Sequence, residues 1–458
     1  MPRRKNSSID QAKKSDRRTD KTPSRLLGMK DWASQDGRYF DSLRDLASQF
    51  ARLYGFAPVK TPILESFDLF KKSTRRSHDK EFYFLENERG EKVVLRPEIT
   101  QGVIRSYLDG LNGEHPITAK LFSVGPIFRR EKLQTGHYRE STQLDLEVIG
   151  DAKPLTEALL IAAANNFFIR LDIKIQVQIN SLGTAENRRE YCSKLLAFYK
   201  ERGRRSKLCA VCRANLGKAC LSLLDCQEEQ CVGLRSEAPQ IADYLSPESR
   251  EHFAKILEAL DELGVSYNFN PYLVRGLSYY NDTVFEFWPV VEDGTIIGKT
   301  ALGAGGRYDS LIEQLGGPSL PAFGLAIGLE RTFARLKDRA VLNRPAENDL
   351  IFVAQLGDQA KVKSLHLFED LRRSGFNVRQ SFGSDSLKQQ LEEATLLRAK
   401  TSLIMGRKEI MDGTILMRDM DSGAQETVVY RKIKERLSRK DKLVEKKLNI
   451  RKEGGIYG

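Results

Sequence analysis

The sequence predicts two folded parts of different class: an α+β part built on an antiparallel sheet, and after it a compact α/β part with a largely parallel sheet. Three observations carry this. β-rich runs come in pairs around polar connections, at 82–85 with 93–95 and at 121–131 with 139–149, as hairpins do. Long helical patterns interrupt the first part near its middle. Beyond a polar stretch containing Pro345, strand-like and helical runs alternate one by one, as in β-α units.

Phe40, Leu43, Leu46, Phe50 and Leu53 recur at helical spacing and stop at Gly55, so 40–54 is a helix ended by glycine. The segment 59–64, interrupted by Pro62, is an edge strand or extended chain. Helical patterns follow the second hairpin at 155–171 and 186–199, and again at 241–263 after a cysteine-rich segment. Strands return at 284–288 and 295–302, and 325–336 reads as a helix whose glycines, Gly324 and Gly328, permit close packing. In the second part, 350–354, 377–380 and 402–405 are strand-like, while 361–374 and 387–397 are helical. The expected boundaries are a basic disordered tail at 1–24, a first domain at 25–338 with a helical, Cys-rich insertion at about 186–265, a linker at 339–348, a second domain at 349–437, and a charged tail at 438–458.

Hydrophobic residues make up 40% and charged residues 30% of 458, as in ordinary globular proteins. The net charge of +12 is larger than usual and points to a polyanionic partner, nucleic acid above all, although basic tails supply part of it. No apolar run approaches membrane-spanning length. The first 25 residues contain no apolar signal region, so a cytoplasmic chain is expected. Its six cysteines are then thiols or metal ligands rather than disulfides.

Several segments carry chemistry. Leu273-Val274-Arg275-Gly276-Leu277-Ser278-Tyr279-Tyr280 presents a guanidinium beside two phenols, which suits a phosphate clamp next to a small polar pocket; alone, it fits a strand beside a turn equally well. Gln143, Asp145 and Glu147 share one face of a strand, and an apolar core cannot hold all three. Arg129 and Glu131 stand at the end of the partner strand. In Leu95-Arg96-Pro97-Glu98-Ile99-Thr100, a carboxylate and a hydroxyl two residues apart suit an ammonium group. Gly303-Ala304-Gly305-Gly306-Arg307-Tyr308-Asp309 lets backbone approach a ligand closely. It leads to Gly328-Leu329-Glu330-Arg331. With no Walker A or dinucleotide fingerprint, a nucleotide has to lie on the antiparallel sheet under Arg129, Arg275 and Arg331.

Phe-Arg-x-Glu on a strand, a loop, a polar strand, and then Gly-Leu-Glu-Arg resemble motifs 2 and 3 of the class II aminoacyl-tRNA synthetases, with Pro62 and Glu65 where motif 1 falls. The arginine–tyrosine segment, Leu-Arg-Pro-Glu-x-Thr and Ala-Gly-Gly-Arg-Tyr-Asp resemble the histidyl-tRNA synthetase family in particular, over about 25–437. The resemblance implies a class II synthetase-like catalytic domain and a C-terminal α/β anticodon-binding domain. It further implies ATP-dependent activation of histidine, with Mg2+, and transfer to the 3′ end of its tRNA by a homodimer. By position, Glu98, Thr100 and Gln143 would hold the α-amino group. Glu147 and Tyr280 would bind the imidazole, and Tyr279 and Tyr308 would build the pocket. Arg129, Glu131, Arg275 and Arg331 would bind ATP, the three arginines as catalytic cations. The basic loop 132–138 would meet the acceptor end. A catalytically silent regulatory subunit of ATP phosphoribosyltransferase is the alternative, although such paralogues generally lack the second domain and keep only a degraded histidine motif.

The chain departs from the family at three places. His137 stands where arginine is usual, Ser141-Thr142 where an aromatic–histidine pair is usual, and Ser278 where aspartate is common. Cys209, Cys212, Cys226 and Cys231 have a spacing that fits a tetrahedral structural zinc site, or thiols packed without metal. Cys192 reads as a core residue.

Overall fold

The structure is a computed structural model, and it describes residues 24–71, 81–110, 118–130, 138–201, 203–277, 279–298, 300–337, 342, 350–381 and 384–438. Almost all of both tails, most of the linker and loop residues 132–137 lie outside this set.

The helix Ser34–Leu53 begins earlier than the apolar spacing indicates and ends before Gly55, whose φ of +87° suits glycine. β1 (Ala57–Pro58) is brief, and the chain runs irregularly to β2 (Leu64–Ser66). β3 (Tyr83–Glu86) and β4 (Lys92–Leu95) are the first expected hairpin; with β2 they make a three-stranded sheet. β5 (Ala119–Phe128) and β6 (Glu140–Ile149) are the second hairpin. They belong to an eight-stranded sheet with β7 (Ile175–Ser181), β8 (Tyr267–Phe269), β9 (Asn281–Pro289), β10 (Gly303–Arg307) and β11 (Ala322–Gly328), ordered β1-β5-β6-β11-β10-β9-β7-β8. The six central strands pair antiparallel throughout, and only the edge strands β1 and β8 pair in parallel.

Period-two alternation gives this sheet two unlike faces. Leu144, Leu146 and Val148 of β6, Phe323, Leu325 and Ile327 of β11, and Phe285 and Phe287 of β9 bury one face. The helix Pro154–Arg170 lies in the same core and is buried nearly all round, packing also on the helix Pro247–Glu262. Glu157 of the first helix accepts from Arg307 Nε at 2.8 Å and meets His252 Nε2 at 2.6 Å, tying both helices to β10. On the opposite face, cross-strand pairing aligns Ser123, Asp145, Ala326, Ala304, Glu286 and Gln178 in one row.

Three expectations need correction. The stretch 295–302 makes only an isolated bridge, Ile296 to Val290, and the strand begins at Gly303. The stretch 325–336 is not one helix: β11 runs through Gly328, and only Leu329–Phe333 is helical. Glycine and alanine have poor strand propensity, so these strands are set by their neighbours rather than by local preference. The third is 241–263, which splits into a 3-10 turn at Ile241–Tyr244 and the helix Pro247–Glu262, capped by Ser246 accepting from the Ser249 amide at 3.2 Å.

The C-terminal sheet has the order β13-β12-β14-β15-β16, from β12 (Leu350–Gln355), β13 (Asn377–Gln380), β14 (Thr401–Met405), β15 (Thr414–Asp419) and β16 (Gln425–Val429). β12 is parallel to both neighbours, as expected; β15 and β16 add an antiparallel ribbon that local spacing did not announce. Helices Asp358–Arg373 and Leu387–Leu396 cover it. The two parts join through polar contacts: Tyr54 donates to Glu369 at 3.3 Å in a buried pair, and Arg373 Nε donates to Asn166 Oδ1 at 3.0 Å. Burial pushes the Glu369 carboxyl up to about 7. Among the described residues no helix is long and apolar enough to cross a membrane.

Candidate active site

The polar row of the eight-stranded sheet floors a cavity of about 1120 Å³. Its centre is open because β10 and β11 present Ala304, Ala326, Gly324 and Gly328, whose small side chains leave space between the polar residues of β6 and β9. Gly324 pairs with Glu147, and a Cβ on it would come within 1.7 Å of the Glu147 carboxylate. The glycine therefore serves the carboxylate rather than the turn of a helix.

Three carboxylates crowd one end. Glu98 is 5% exposed, and Asp145 and Glu147 are each 1% exposed. Neither oxygen of Asp145 has a hydrogen-bond donor among the described residues, and one oxygen each of Glu98 and Glu147 also lacks one. Burial pushes the Glu98 carboxyl up. Burial and the neighbouring Glu98 charge hold Asp145 well above the usual carboxylate range, and burial with Asp145 does the same to Glu147. Like charges packed in a dry site destabilise the ligand-free protein, so the cluster is complementary to a cation. Arg96 fixes the loop bearing Glu98: its Nε donates to Pro126 O at 2.8 Å and its Nη1 to Thr61 O at 2.9 Å. Thr100 opens the helix Thr100–Gly110 at the same wall.

Three tyrosines stand over the carboxylates. Tyr279 donates to Glu98 Oε2 at 2.8 Å, and Tyr308 donates to Glu147. Tyr279 lies 4.8 Å from Tyr280 and 5.8 Å from Tyr308, centroid to centroid. Burial, reinforced by the carboxylates, raises the Tyr279 and Tyr308 phenols well above their ordinary value. Tyr280 is pushed up to about 12, also by burial. All three are neutral donors at neutral pH.

Arginines line the remainder. Arg275 Nη1 bonds Glu286 Oε1 at 2.7 Å, and Trp288 Nε1 donates to the other Glu286 oxygen at 3.0 Å. Burial alone would weaken the Arg275 charge, but Tyr280 and Glu286 outweigh it and hold the guanidinium above its ordinary value. Arg129 Nε donates to Pro97 O at 2.7 Å, and Arg331 Nη1 to Ala301 O at 3.2 Å. A cavity with carboxylates at one end and several guanidiniums elsewhere can accept a cationic group and a polyanion together.

Of the residues singled out by sequence, Glu98, Thr100, Arg129, Gln143, Arg275, Tyr279, Tyr280, Tyr308 and Arg331 line this cavity. Glu147 sits behind Tyr308 as its acceptor. Glu131, His137 and Ser278 lie outside the described residues. Ser141 lines the cavity beside Tyr138, and the Thr142 amide donates to Glu330 Oε2 at 2.8 Å. Sequence reasoning gave no role to Asp145, Glu286 or Glu330. Asp145 shared the alternating face with Gln143 and Glu147, so its signal was present; Glu286 faces the cavity only through the cross-strand register. Leu224, Asp225, Gln227 and Arg235 of the cysteine-rich segment also reach the cavity, which no spacing indicated. Cys209, Cys212, Cys226 and Cys231 come together, while Cys192 and Cys220 do not join them.

Comparison with known proteins gives the family. The family described as histidyl-tRNA synthetase matches residues 28–332, and the anticodon binding domain family matches residues 350–440. The histidine–tRNA ligase of Dehalococcoides mccartyi is 36% identical over 405 residues, covering 88% of this chain and 96% of that protein. That of Desulforudis audaxviator is 36% identical over 422 residues, covering 91% and 98%. The apo crystal structure of S. aureus histidyl-tRNA synthetase superposes with a TM-score of 0.56 at 28% identity, covering 90% of this chain and 99% of that one. With the class II sheet, its polar cavity and the second domain all present, the chain belongs to the histidyl-tRNA synthetase family.

Proposed function

We propose that the cavity joins histidine to ATP and passes the histidyl group to tRNA, with each end of the cavity serving one substrate. The observation that carries this is Asp145, buried without a donor beside Glu98 and Glu147. Arg96 and Arg129 offset part of this charge, and a bound cation would relieve the rest without protonating the cluster. The α-ammonium of histidine fits beside Glu98, Thr100 and Gln143, and the imidazole fits between Glu147 and Tyr280. A site that bonds both ring nitrogens rejects apolar analogues, because its own polar groups would stay buried and unpaired.

ATP, carried with its magnesium ion as substrate, would lie along Arg129, Arg275 and Arg331, with Glu131 nearby in sequence. The histidine carboxylate attacks the α-phosphorus in line, a new O–P bond forms, and diphosphate leaves with the electron pair of the broken bond. No general base is needed, since the carboxylate is already ionised. Negative charge grows on the non-bridging oxygens, and pre-set guanidiniums stabilise it at little reorganisation cost. Glu286 acts on Arg275 as a positioning residue. In the second step the terminal hydroxyl of tRNA attacks the carbonyl carbon, its proton passes to a phosphate oxygen of the adenylate or to solvent, and AMP departs with the electron pair of the broken C–O bond.

The net charge of +12 supports tRNA as partner. On this reading the α/β domain of 349–437 meets the anticodon and the loop 132–138 the acceptor end. A homodimer in the cytoplasm completes the proposal. The regulatory-subunit alternative has less behind it. A structure titled ATP phosphoribosyltransferase regulatory subunit/histidyl-tRNA synthetase, from Bacillus halodurans, shares only 19% identity and speaks for the fold alone. The test is histidine-dependent exchange of diphosphate into ATP. Exchange that requires histidine is expected; protein that binds histidine yet never exchanges would return the regulatory reading.

A further inference from the structure

We propose that Cys209, Cys212, Cys226 and Cys231 bind one zinc ion as a tetrathiolate, and that this ion holds the wall of the catalytic cavity formed by Leu224, Asp225 and Gln227. The four Sγ atoms lie within 4.8 Å of one another, and Cys209 and Cys226 are 3.9 Å apart. Zinc bonded to sulfur at about 2.3 Å in a tetrahedron needs S–S edges of about 3.8 Å. The cluster is thus near the size of the site and closes on it with small side-chain movements.

Two further features fit a metal better than packed thiols. The Cys212 amide points at Cys209 Sγ (3.4 Å), and the Cys209 amide at Cys231 Sγ (3.3 Å). Backbone N–H groups aimed at sulfur stabilise thiolates and orient them for an ion. The second feature is the shortness of the helices in this segment, two of which carry Cys212 and Cys231. Ala210–Asn215 has six residues, Cys220–Leu223 four and Glu229–Arg235 seven. Helices this short do not persist alone; they pack on one apolar cluster through Leu208, Leu223, Leu224 and Leu234, and a metal bonded by Cys212 and Cys231 would add a cross-link between them. Binding replaces the thiol protons of the four cysteines, which leave to solvent, with four Zn–S bonds.

The consequence for the cavity follows from chain position. Cys226 stands between Asp225 and Gln227, which line the cavity, and Cys231 precedes Arg235, which also lines it and donates to Leu224 O. Two of the four ligands therefore flank cavity residues within the same short segment. The placement of the cavity wall, though not the metal site itself, rests on the cavity being the substrate site proposed above.

The test begins with untagged full-length protein expressed with zinc supplied. Elemental analysis should find one zinc per chain, retained in Cys220→Ser and lost in Cys226→Ser and Cys231→Ser. Cobalt substituted into stripped wild-type protein should give thiolate-to-metal charge-transfer bands, which needs no variant to fold. Stoichiometric iron, a Cys209–Cys226 disulfide found by mass analysis without reductant, or well under one equivalent of any metal with no cobalt bands would each overturn the site. If zinc is present, stripping it should speed amide hydrogen exchange across residues 224–235 and raise KM for histidine or ATP several-fold, restored by zinc. Unchanged exchange in that segment overturns the link to the cavity and leaves the substrate reading intact.

Discussion

The two sheets of this protein both bury polar side chains, and they treat them in opposite ways. Around the C-terminal sheet Gln355, Gln380 and Gln390 are buried neutral amides that bond nearby backbone and hydroxyl groups. Gln390 Nε2 donates to Gln355 O at 2.8 Å, the Gln355 amide donates to Gln390 Oε1 at 2.9 Å, Gln355 Nε2 donates to Ser381 O at 2.8 Å, and Gln380 Nε2 donates to Ser364 Oγ at 2.7 Å. One atom of that amide set, Gln380 Oε1, is left over. At the cavity end of the eight-stranded sheet Asp145 and Glu147, with Glu98 beside them, are carboxyl groups, clustered and short of donors. Satisfied buried polarity specifies a fold, whereas unsatisfied buried charge marks a place where something else binds. Polarity inside a protein is thus a functional signal only when its partners are missing.

Substitutions that act on one sheet and spare the other test the comparison. The largest effect is expected from Arg275→Ala, which should slow histidine-dependent diphosphate exchange by about 10²- to 10³-fold through loss of transition-state stabilisation. Wild-type exchange in that variant would end the enzyme reading of the site. Next comes Asp145→Asn. Replacing a buried, unpaired carboxylate with a neutral isostere should raise KM for histidine by about 10-fold or more while raising the unfolding temperature of the ligand-free protein. A fall in both would mean that Asp145 is structural, like the glutamines.

Gln390→Ala should do the reverse. It leaves the Gln355 amide and two carbonyls without their partner, so a loss of about 1–3 kcal/mol in denaturant unfolding is expected, with KM for histidine unchanged. The smallest effect is a pH slope. An acid whose folded pKa is raised contributes stability that is full below its unfolded pKa and is lost as pH rises through the folded pKa. Glu98, Asp145 and Glu147 are all raised, so ligand-free protein should lose stability as pH climbs from about 4, the unperturbed carboxylate value, through the raised values. Saturating histidine should flatten the slope, and binding should release protons, which calorimetry in buffers of different ionisation heat would record. Glu157 acts oppositely: burial would raise it, but Arg307 outweighs this and holds it low, so its contribution is lost as pH falls through its folded pKa.

The site was legible where its signal was local. Gln143, Asp145 and Glu147 stand at period two on a strand, and that spacing alone excludes an apolar face. Leu95–Thr100 and Arg275–Tyr280 were legible by resemblance, because each motif is short and continuous. β10 and β11 were not. A strand of Gly303, Ala304, Gly305 and Gly306 has no side-chain alternation to read, and Leu325, Ile327 and Leu329 fit a helix as well as a strand when helical residues follow at once.

The amino-acid sequence by itself determined the two-part architecture, both hairpins and part of the set of residues that meet in the cavity, because hydrophobic period and motif order are local properties of the chain. Tertiary structure decided which of those residues face one another. Cross-strand register put Glu286 and Asp145 in one row, Gly324 opened room for Glu147, and folding of the insertion brought four thiols together and set residues 224–227 against the cavity. Spacing along a chain states which face a side chain takes, and only packing between distant segments states what that face meets.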